Sequence, residues 1–324
     1  MSHFSLAAAP LSALRVRRKH PIAREIVRFE LTHPQGQDLP DWSAGAHIRL
    51  STPQGHIRSY SLCGPVEARD HWAIAVKREA NGRGGSASLI DEVHEGDELP
   101  LHGGDNLFAL DPQAPEHILI AGGIGLTPLY AMAQTLAQTP AAKFHLYVCS
   151  RDAEGTAFLN ELQQAPWRDH VTIHHDAGDP SQALDLWPLL ETPSAAHVYC
   201  CGPQGLMDCV RDMSGHWPTH HIHFESFGAS QQGWAENQAF EVVLRHSGQR
   251  ITVPADRSIL ESLRQAGVRV ASSCESGTCG SCKTGLLAGA VEHRDLVLLA
   301  DEQATHLMPC VSRSVGGATL ELDL

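Results

Sequence analysis

Four cysteines near the C-terminus have the spacing of an iron–sulfur site. Cys274, Cys279 and Cys282 follow the pattern C-x₄-C-x₂-C, and Cys310 lies further along the chain. This is the plant-type spacing for [2Fe–2S] ligation, with three thiolates from one loop and the fourth from elsewhere. A Cys₄ zinc site is the alternative, but zinc loops usually hold their cysteines as pairs in two separate knuckles. The pattern therefore predicts a [2Fe–2S] cluster.

Two glycines inside this loop suit the same site. Gly277 and Gly280 permit backbone conformations that are closed to other residues. Their amides can then point at the sulfur atoms and stabilise an anionic cluster.

A glycine-rich turn after an apolar run predicts a dinucleotide site. Such turns let a pyrophosphate approach the backbone, and the helix that follows supplies free amides and a favourable dipole. The candidate residues, which follow the run Ile118–Ala121, are Gly122, Gly123, Gly125, Thr127 and Pro128. Pro128 suits the first turn of a helix. The turn does not match G-x-G-x-x-G, and a tight strand–helix turn without a ligand is the alternative.

A second turn of this kind strengthens the prediction. Cys201, Gly202 and Pro203 lie at the end of the predicted strand His197–Cys201. Ligands of open parallel sheets bind at the carboxyl ends of strands, so two glycine turns at two such ends predict a nicotinamide site. Cys201 is a candidate for that site, although it can instead be a packing thiol, since cysteine is commonly buried.

The residues after the predicted strand Phe144–Cys149 bear on the choice of nucleotide. Asp152 can accept a hydrogen bond from the adenosine ribose 2′-hydroxyl, which favours NADH. Arg151 beside it can serve a 2′-phosphate, so NADPH stays open.

A flavin site is predicted in the N-terminal part of the chain. Arginine and hydroxyl groups beside a strand, together with a glycine-rich turn, can hold a phosphate, and an aromatic face can meet a ring system. The candidates are Arg58, Ser59, Tyr60 and Ser61, followed by Gly82, Arg83, Gly84, Gly85 and Ser86. Each motif alone is also typical of a generic basic turn. Redox chemistry favours the flavin, because a nicotinamide gives two electrons at once and a [2Fe–2S] cluster accepts one.

Three segments must position these residues. Short, partly alternating strands before residue 110 predict a small antiparallel β-barrel. Strands alternating with helices then predict a parallel sheet of the α/β class. A polar, glycine-bearing linker separates this from a segment with a hairpin around Gly248 and a helix ending at Gly267. We predict domains at 8–110, 111–228 and 238–324, with a linker at 229–237.

Composition narrows the possible partners. The chain has 324 residues and a formal charge of −13, which makes nucleic acid an unsuitable partner. No apolar run approaches the length needed to cross a membrane, so we expect no membrane partner. The basic run Arg15–Lys19 follows the first apolar stretch, the wrong order for a secretory signal, and we expect a cytoplasmic protein.

Taken together, these motifs resemble the phthalate dioxygenase reductase family, which includes vanillate O-demethylase reductases. The resemblance covers all three segments in the same order. It implies an FMN-binding antiparallel barrel, an NADH-binding α/β domain and a C-terminal ferredoxin domain of the α+β, β-grasp class. It also implies electron delivery to a Rieske-type oxygenase.

The resemblance further implies roles for single residues. Those assigned to FMN are Arg58, Tyr60 and Ser61, with Ser61 near the reactive ring nitrogen, and Arg83, Gly85 and Ser86 at the phosphate. Thr127 and Cys201 would lie near the nicotinamide. Phe227 would cover the flavin ring until the nicotinamide displaces it, although a core aromatic at a domain edge is the alternative.

The sequence thus predicts an NADH-dependent oxidoreductase. We expect hydride transfer from NADH to FMN, followed by two one-electron steps to the cluster and on to an oxygenase component. A reductase for a haem monooxygenase or another acceptor is one alternative, and a redox-sensing iron–sulfur flavoprotein is another. FAD in place of FMN also stays open. The aromatic substrate cannot be read, because this chain is not expected to bind it.

Overall fold

A computed structural model describes residues 11–79, 84–227, 237–272, 277, 280–295, 297–299 and 301–324. The chain divides into two compact units, one ending at Glu225 and the other beginning at Ser226. None of the helices in these described ranges is long and apolar enough to cross a membrane.

The first unit begins with six antiparallel strands in the order β4-β3-β6-β1-β2-β5. The strands are β1 (Ala13–Ala23), β2 (Ile26–Thr32), β3 (His47–Ser51), β4 (Ile57–Ser61), β5 (Trp72–Lys77) and β6 (Glu98–Asp105), with helix α1 (Gly85–Glu92) before β6. A bridge between Leu62 and Ile74 joins the two ends of the sheet and closes it. The predicted antiparallel barrel is confirmed.

Inward-facing side chains fill this barrel. Leu14, Phe29, Ile48 and Leu50 are fully buried there, and they alternate along their strands with more exposed residues such as Arg49. This period of two is what a sheet with one buried face requires.

Five parallel strands follow in the same unit, in the order β11-β10-β7-β8-β9. The strands are β7 (His117–Gly122), β8 (Phe144–Ser150), β9 (Val171–His175), β10 (His197–Cys201) and β11 (Ile222–Glu225), and the helices between them are α2 (Leu126–Gln138), α3 (Leu159–Gln164), α4 (Trp187–Leu190) and α5 (Gln204–Met213). The strand order reverses between β7 and β10. Ligands of such sheets bind in the crevice at this switch point.

The parallel sheet has an apolar core on each face. Along β7, Leu119 and Ala121 pack into one core and Ile120 into the other. In β10, Tyr199 and Cys201 belong to the first core and Cys200 to the second. Strands that are buried on both faces have continuous apolar sequences. Such apolar runs predict β7 and β10.

Helix α3 is shorter than the sequence predicts. A helix is expected from Thr156, but α3 begins at Leu159. The Thr156 hydroxyl donates to the carbonyl oxygen of Asp152 at 2.7 Å, and Phe158 has a positive φ of 56°. These features form a turn, so the helix starts only after it.

The second unit contains a mixed five-stranded sheet in the order β13-β12-β18-β14-β16. Its strands are β12 (Phe240–Leu244), β13 (Arg250–Val253), β14 (Thr284–Ala288), β16 (His306–Leu307) and β18 (Leu320–Leu322), and β15 (Val291–Glu292) pairs with β17 (Arg313–Ser314). The pair β12–β18 is parallel, and the other pairs are antiparallel. The predicted α+β class of this segment is confirmed.

The helix α6 (Ile259–Gln265) packs on this sheet, and both of its ends are well defined. At its start the Ser258 hydroxyl accepts from the Glu261 amide at 3.1 Å, and the Ser258 amide donates to the Glu261 carboxylate at 2.8 Å. Such a capping box satisfies two amides that a helix leaves free. Gly267, with φ of 78°, ends the helix as predicted. The predicted linker lies outside the described residues except for Asn237.

A buried arginine ties the second unit together. The Arg313 guanidinium donates to the carbonyl oxygens of Arg257, of Gln238 at 2.7 Å and of Pro254 at 3.1 Å. It also lies 4.9 Å from the centroid of the Phe240 ring. Charged donors form the stronger class of hydrogen bond, so this side chain holds three loop carbonyls together. The Pro254 carbonyl also accepts from the Arg257 amide at 3.3 Å.

Replacing Arg313 should destabilise the second unit. Arg313→Ala leaves three carbonyls without this donor, and we expect the free energy of unfolding to fall by roughly 3 kcal/mol. Urea denaturation followed by circular dichroism measures this. Arg250→Ala is the matched control, because the Arg250 side chain makes an exposed ion pair with Glu241 at 3.1 Å. Losing this pair should cost about 0.5 kcal/mol or less. Equal losses in both variants would contradict the anchoring role.

Candidate functional site

The backbone segments after β7 and β10 touch at the switch point of the parallel sheet. A Cβ atom on Gly125 would lie 2.3 Å from the carbonyl oxygen of Cys201, and one on Gly202 would lie 2.8 Å from the Cα of Gly122. On Gly122 it would lie 2.5 Å from the Pro203 ring. Glycine is therefore required sterically at all three positions. The two glycine turns predicted separately from the sequence form one site.

Helix α2 starts at this contact. Thr127 is buried, and its hydroxyl donates to the carbonyl oxygen of Ile124 at 3.0 Å. Pro128 lies in the first turn of the helix, and Gly123 has a positive φ of 54° in the preceding turn. The amides at this helix start face the carboxyl edge of the sheet, where an anionic pyrophosphate is stabilised.

The barrel reaches the same edge through Ser61. Its hydroxyl donates to the Glu225 carboxylate at 3.4 Å. Glu225 ends β11 and is the register partner of Cys201 on β10. Ser61, Glu225 and Cys201 are all buried. The structure thus brings together Ser61 and Cys201, two residues predicted from segments far apart in sequence.

Glu225 was not among the residues predicted from the sequence. The sequence does show a carboxylate two residues before Phe227, and its position at the end of an apolar strand could have marked it as a candidate. Only the pairing of β10 with β11 places it beside Cys201, and only the packing of the barrel places it at Ser61.

Cys201 is a neutral thiol in this setting. Burial raises the pKa of Cys201 well above its usual value, and the nearby Glu225 carboxylate raises it further. A protonated thiol is a weak nucleophile, so Cys201 is suited to packing and hydrogen bonding and not to covalent chemistry.

At the end of β8, Asp152 is held by an ion pair with the barrel. Its Oδ2 accepts from the Arg24 guanidinium at 2.6 Å, and its Oδ1 accepts from the Gly155 amide at 2.8 Å. The Arg24 contact is the main cause of the lowered pKa of Asp152. Glu154 also accepts from Arg24, at 3.1 Å. Arg151 is exposed. Because β8 ends at Ser150, Arg151 and Asp152 both lie at the carboxyl edge of the sheet.

The flavin candidates lie on β4 and at the start of α1. A Cβ on Gly85 would lie 2.8 Å from the Arg58 guanidinium nitrogen Nε, so the arginine covers this turn closely. Gly84 has a positive φ of 79°, and the Ser86 hydroxyl accepts from the Glu79 amide at 3.0 Å. Gly82 and Arg83 lie outside the described residues.

Two buried hydroxyls on β4 fit a bound polar ligand. Ser59 Oγ and Tyr60 Oη are buried, and neither has a hydrogen-bond partner within the described part of the chain. Burial raises the pKa of Tyr60 to about 12, so its hydroxyl stays protonated and available as a donor. Buried hydroxyls usually have partners, and the ribityl and phosphate oxygens of FMN are suitable ones.

Phe227 follows β11 in the chain and is 44% exposed. This exposure contradicts its alternative interpretation as a core aromatic. An exposed large aromatic is suited to stacking on a planar ligand.

Two of the four predicted cluster cysteines are described, and they meet. Cys282 and Cys310 are both buried, and their sulfur atoms lie 3.3 Å apart. Two thiolates on one tetrahedral metal with bonds of about 2.3 Å lie about 3.7 Å apart, so this separation suits ligands of one iron. Gly277 and Gly280 have φ of 78° and 75°, as their predicted role requires. Cys274 and Cys279 lie outside the described residues.

Clustered histidines lie at the opposite edge of the parallel sheet. His197 Nδ1 and His223 Nε2 are 3.0 Å apart, and burial lowers the pKa of His223 to about 4. Among the described residues, no group of three or more His, Cys, Asp or Glu side chains is arranged to hold a metal ion. These histidines begin strands whose carboxyl ends form the nucleotide site, so they are separate from it.

Comparison with known proteins agrees with this geometry. Residues 119–212 match the model of the oxidoreductase NAD-binding domain, and residues 242–315 match that of the 2Fe-2S iron-sulfur cluster binding domain. The chain is 53% identical to phthalate dioxygenase reductase of Burkholderia cepacia, covering 96% of this chain and 97% of that one. It is 39% identical to vanillate O-demethylase oxidoreductase of Pseudomonas putida, covering 90% and 93%.

A solved structure extends the likeness to the fold. It is that of phthalate dioxygenase reductase, a modular structure for electron transfer from pyridine nucleotides to [2Fe–2S]. It matches with a TM-score of 0.87 at 53% identity, covering 96% of this chain and 97% of that one.

The glycine contact at the switch point can be tested with a pair of alanine substitutions. In Gly125→Ala the new Cβ meets rigid backbone at Cys201, so we expect a loss of roughly 1–3 kcal/mol in unfolding free energy and weaker NADH binding. Gly205, the second residue of α5, has nothing within 4 Å of a Cβ. Gly205→Ala should therefore be neutral or slightly stabilising. Urea denaturation and fluorescence titration with NADH measure both effects; unchanged binding in Gly125→Ala would refute the steric requirement.

Proposed function

The chain belongs to the phthalate dioxygenase reductase family, and from this premise we propose that it is the reductase component of a Rieske-type aromatic oxygenase or demethylase. It takes electrons from NADH and passes them through FMN and a [2Fe–2S] cluster to the oxygenase. We place this reaction in the cytoplasm, where NADH is available. The aromatic substrate belongs to the oxygenase and not to this chain.

The observation that carries the proposal is the meeting of the barrel with the nucleotide edge. Ser61 from the flavin barrel contacts Glu225, and Glu225 pairs in register with Cys201 beside the glycine turns. A nicotinamide at these turns is therefore next to the strand that carries the flavin candidates. Reactants held in contact react without a separate encounter, which is the main contribution a protein makes to such chemistry.

The cofactors supply the redox chemistry: the flavin accepts an electron pair from a nicotinamide and releases single electrons, and the cluster carries one electron at a time. The protein binds and orients them. Arg58 and the amides at the start of α1 hold the FMN phosphate, with Gly84 and Gly85 giving close approach. Tyr60, on the same face of β4 as Arg58, donates its buried hydroxyl to FMN.

At the reacting edge, this chain's residues position the nicotinamide and exclude water. Ser61 and Glu225 form a buried polar pair beside the flavin, and the neutral Cys201 thiol packs against the nicotinamide together with Thr127. The pyrophosphate lies over the turns at Gly122 and Gly202. We propose that Phe227, whose side chain is 44% exposed, would cover the flavin ring until the nicotinamide displaces it.

In the second unit, Cys274, Cys279, Cys282 and Cys310 would hold the cluster, and the sulfur atoms of the last two lie 3.3 Å apart. The positive-φ glycines Gly277 and Gly280 let the loop backbone turn its amides toward the sulfur atoms.

Removing one cluster ligand tests the order of electron transfer. Cys310→Ser should abolish the cluster's visible absorption and electron delivery to the oxygenase, while NADH still bleaches the flavin absorption at the wild-type rate. Stopped-flow spectroscopy measures the flavin step, and oxygenase turnover measures delivery. Cys209→Ser, outside the cluster motif, is the control and should change neither.

The same experiment separates the competing functions. If Cys310→Ser still drives the oxygenase, the proposed order is wrong. If the wild type reduces only a haem monooxygenase, the acceptor is wrong. If NADH fails to reduce the flavin at all, a redox sensor becomes the better interpretation.

Asp152 is proposed to accept the ribose 2′-hydroxyl of NADH. Asp152→Ala should reduce the preference for NADH over NADPH by roughly tenfold, since a hydrogen bond to a charged group contributes on the order of 1.5 kcal/mol. Dissociation constants of both nucleotides measure the preference. Glu154→Ala is the matched control, because Glu154 shares Arg24 but its side chain is 80% exposed. An unchanged preference in a folded Asp152→Ala protein would show that Asp152 only supports the turn.

A further inference from the structure

An apolar wall lies against the two described cluster cysteines. Leu260, Leu298 and Met308 are buried and pack with Cys282 and Cys310 in one cluster of side chains. Leu260 comes from α6 and the other two residues from the loops around β16. Methionine is the only member of this wall that carries a heteroatom in its side chain.

The sulfur atom of Met308 contacts Cys282, one of the proposed cluster ligands. Its sulfur lies 3.9 Å from the Cys282 sulfur, which in turn lies 3.3 Å from the Cys310 sulfur. Met308 is fully buried. The contact is therefore at van der Waals distance, with no space for water between the two sulfur atoms.

A tight turn holds Met308 in this position. Its amide donates to the Ser312 hydroxyl at 3.2 Å, and its carbonyl oxygen accepts from the amides of Val311 at 3.0 Å and Ser312 at 2.9 Å. Ser312 is itself fully buried. Since Cys310 lies inside this turn, the positions of Met308 and of the ligand are set by the same hydrogen bonds.

A thioether at this contact would affect the reduction potential of the proposed cluster. Reduction adds a negative charge to a cluster that four thiolates already make anionic. Hydrogen-bond donors and water near the sulfur atoms stabilise that added charge and raise the reduction potential. A thioether has no hydrogen to donate. Its side chain therefore occupies part of the Cys282 surface without stabilising the reduced cluster as a donor would.

We propose that Met308 is a positioning residue that keeps the reduction potential of the cluster low by excluding donors and water from the part of the Cys282 sulfur that it covers. The inference rests on the cluster ligands of the proposed function. A lower potential makes the reduced cluster a stronger donor, which favours passing the electron on to the oxygenase.

Three substitutions at Met308 separate exclusion from mere packing. Met308→Gln has nearly the same length and brings an amide donor to Cys282, and Met308→Ala opens space for water. We expect both to shift the equilibrium toward the reduced cluster by about tenfold, which is about 59 mV for one electron. Met308→Leu keeps an apolar, donor-free contact and should leave the potential near that of the wild type.

The measurement is a redox titration of the full-length protein loaded with flavin and cluster, followed by visible absorption and by the electron paramagnetic resonance of the reduced cluster. Met213→Gln is the matched control. Met213 lies 3.9 Å from the Cys209 sulfur, the same separation as in the Met308 pair, but in the first unit. It should leave the cluster potential unchanged.

Each outcome decides the proposal. A rise in Met308→Gln or Met308→Ala without a rise in Met308→Leu supports it, and either of the first two suffices if the other fails to fold. Unchanged potentials in the first two overturn it. An equal rise in Met308→Leu also overturns it, because the thioether itself would then set the potential. A wild-type protein without a reducible cluster would instead refute the cysteine assignment.

Discussion

The contact between the backbone after β7 and the backbone after β10 is the constraint on which the active edge depends. At Gly122, Gly125 and Gly202 there is no room even for a methyl group. This approach brings together two turns that lie about eighty residues apart in sequence, at the point where the strand order reverses. Because each turn presents backbone and not side chains, a pyrophosphate can lie against both. The start of α2 and the end of β10 therefore lie at the same edge of the sheet.

The barrel is joined to this edge by polar contacts in two places. Ser61 meets Glu225 where the flavin and the nicotinamide have to touch, and Arg24 meets Asp152 near the proposed ribose position. The first contact is buried and the second is largely exposed to solvent. Buried polar pairs are sensitive to geometry because a lost partner is costly in a low dielectric, whereas exposed ion pairs contribute little stability. In the proposed function the buried Ser61 contact would orient the reactants, whereas the Arg24 contact orients Asp152.

In the proposed function, the second unit has to hold a multiply charged cluster within a small fold. The sheet and α6 supply an apolar core, Arg313 ties two loops by charged hydrogen bonds, and Cys282 and Cys310 pack in a second apolar cluster. In the proposed arrangement, amides of the positive-φ glycines would stabilise negative charge on the cluster, and the donor-free Met308 contact would oppose this. The balance between the two would decide how strongly the cluster donates its electron.

The sequence by itself determined the type of each site, because the chemistry depends on residues that are close along the chain. The spacing of the four cysteines, the glycine turns after apolar runs and the end of α6 at Gly267 were all predictable from local patterns. Only the tertiary structure decided which residues meet across elements. Glu225 beside Cys201, Arg24 on Asp152 and Met308 against Cys282 join residues from separate strands, turns and loops. Local propensity carries no information on such pairs, since strand pairing and packing create them.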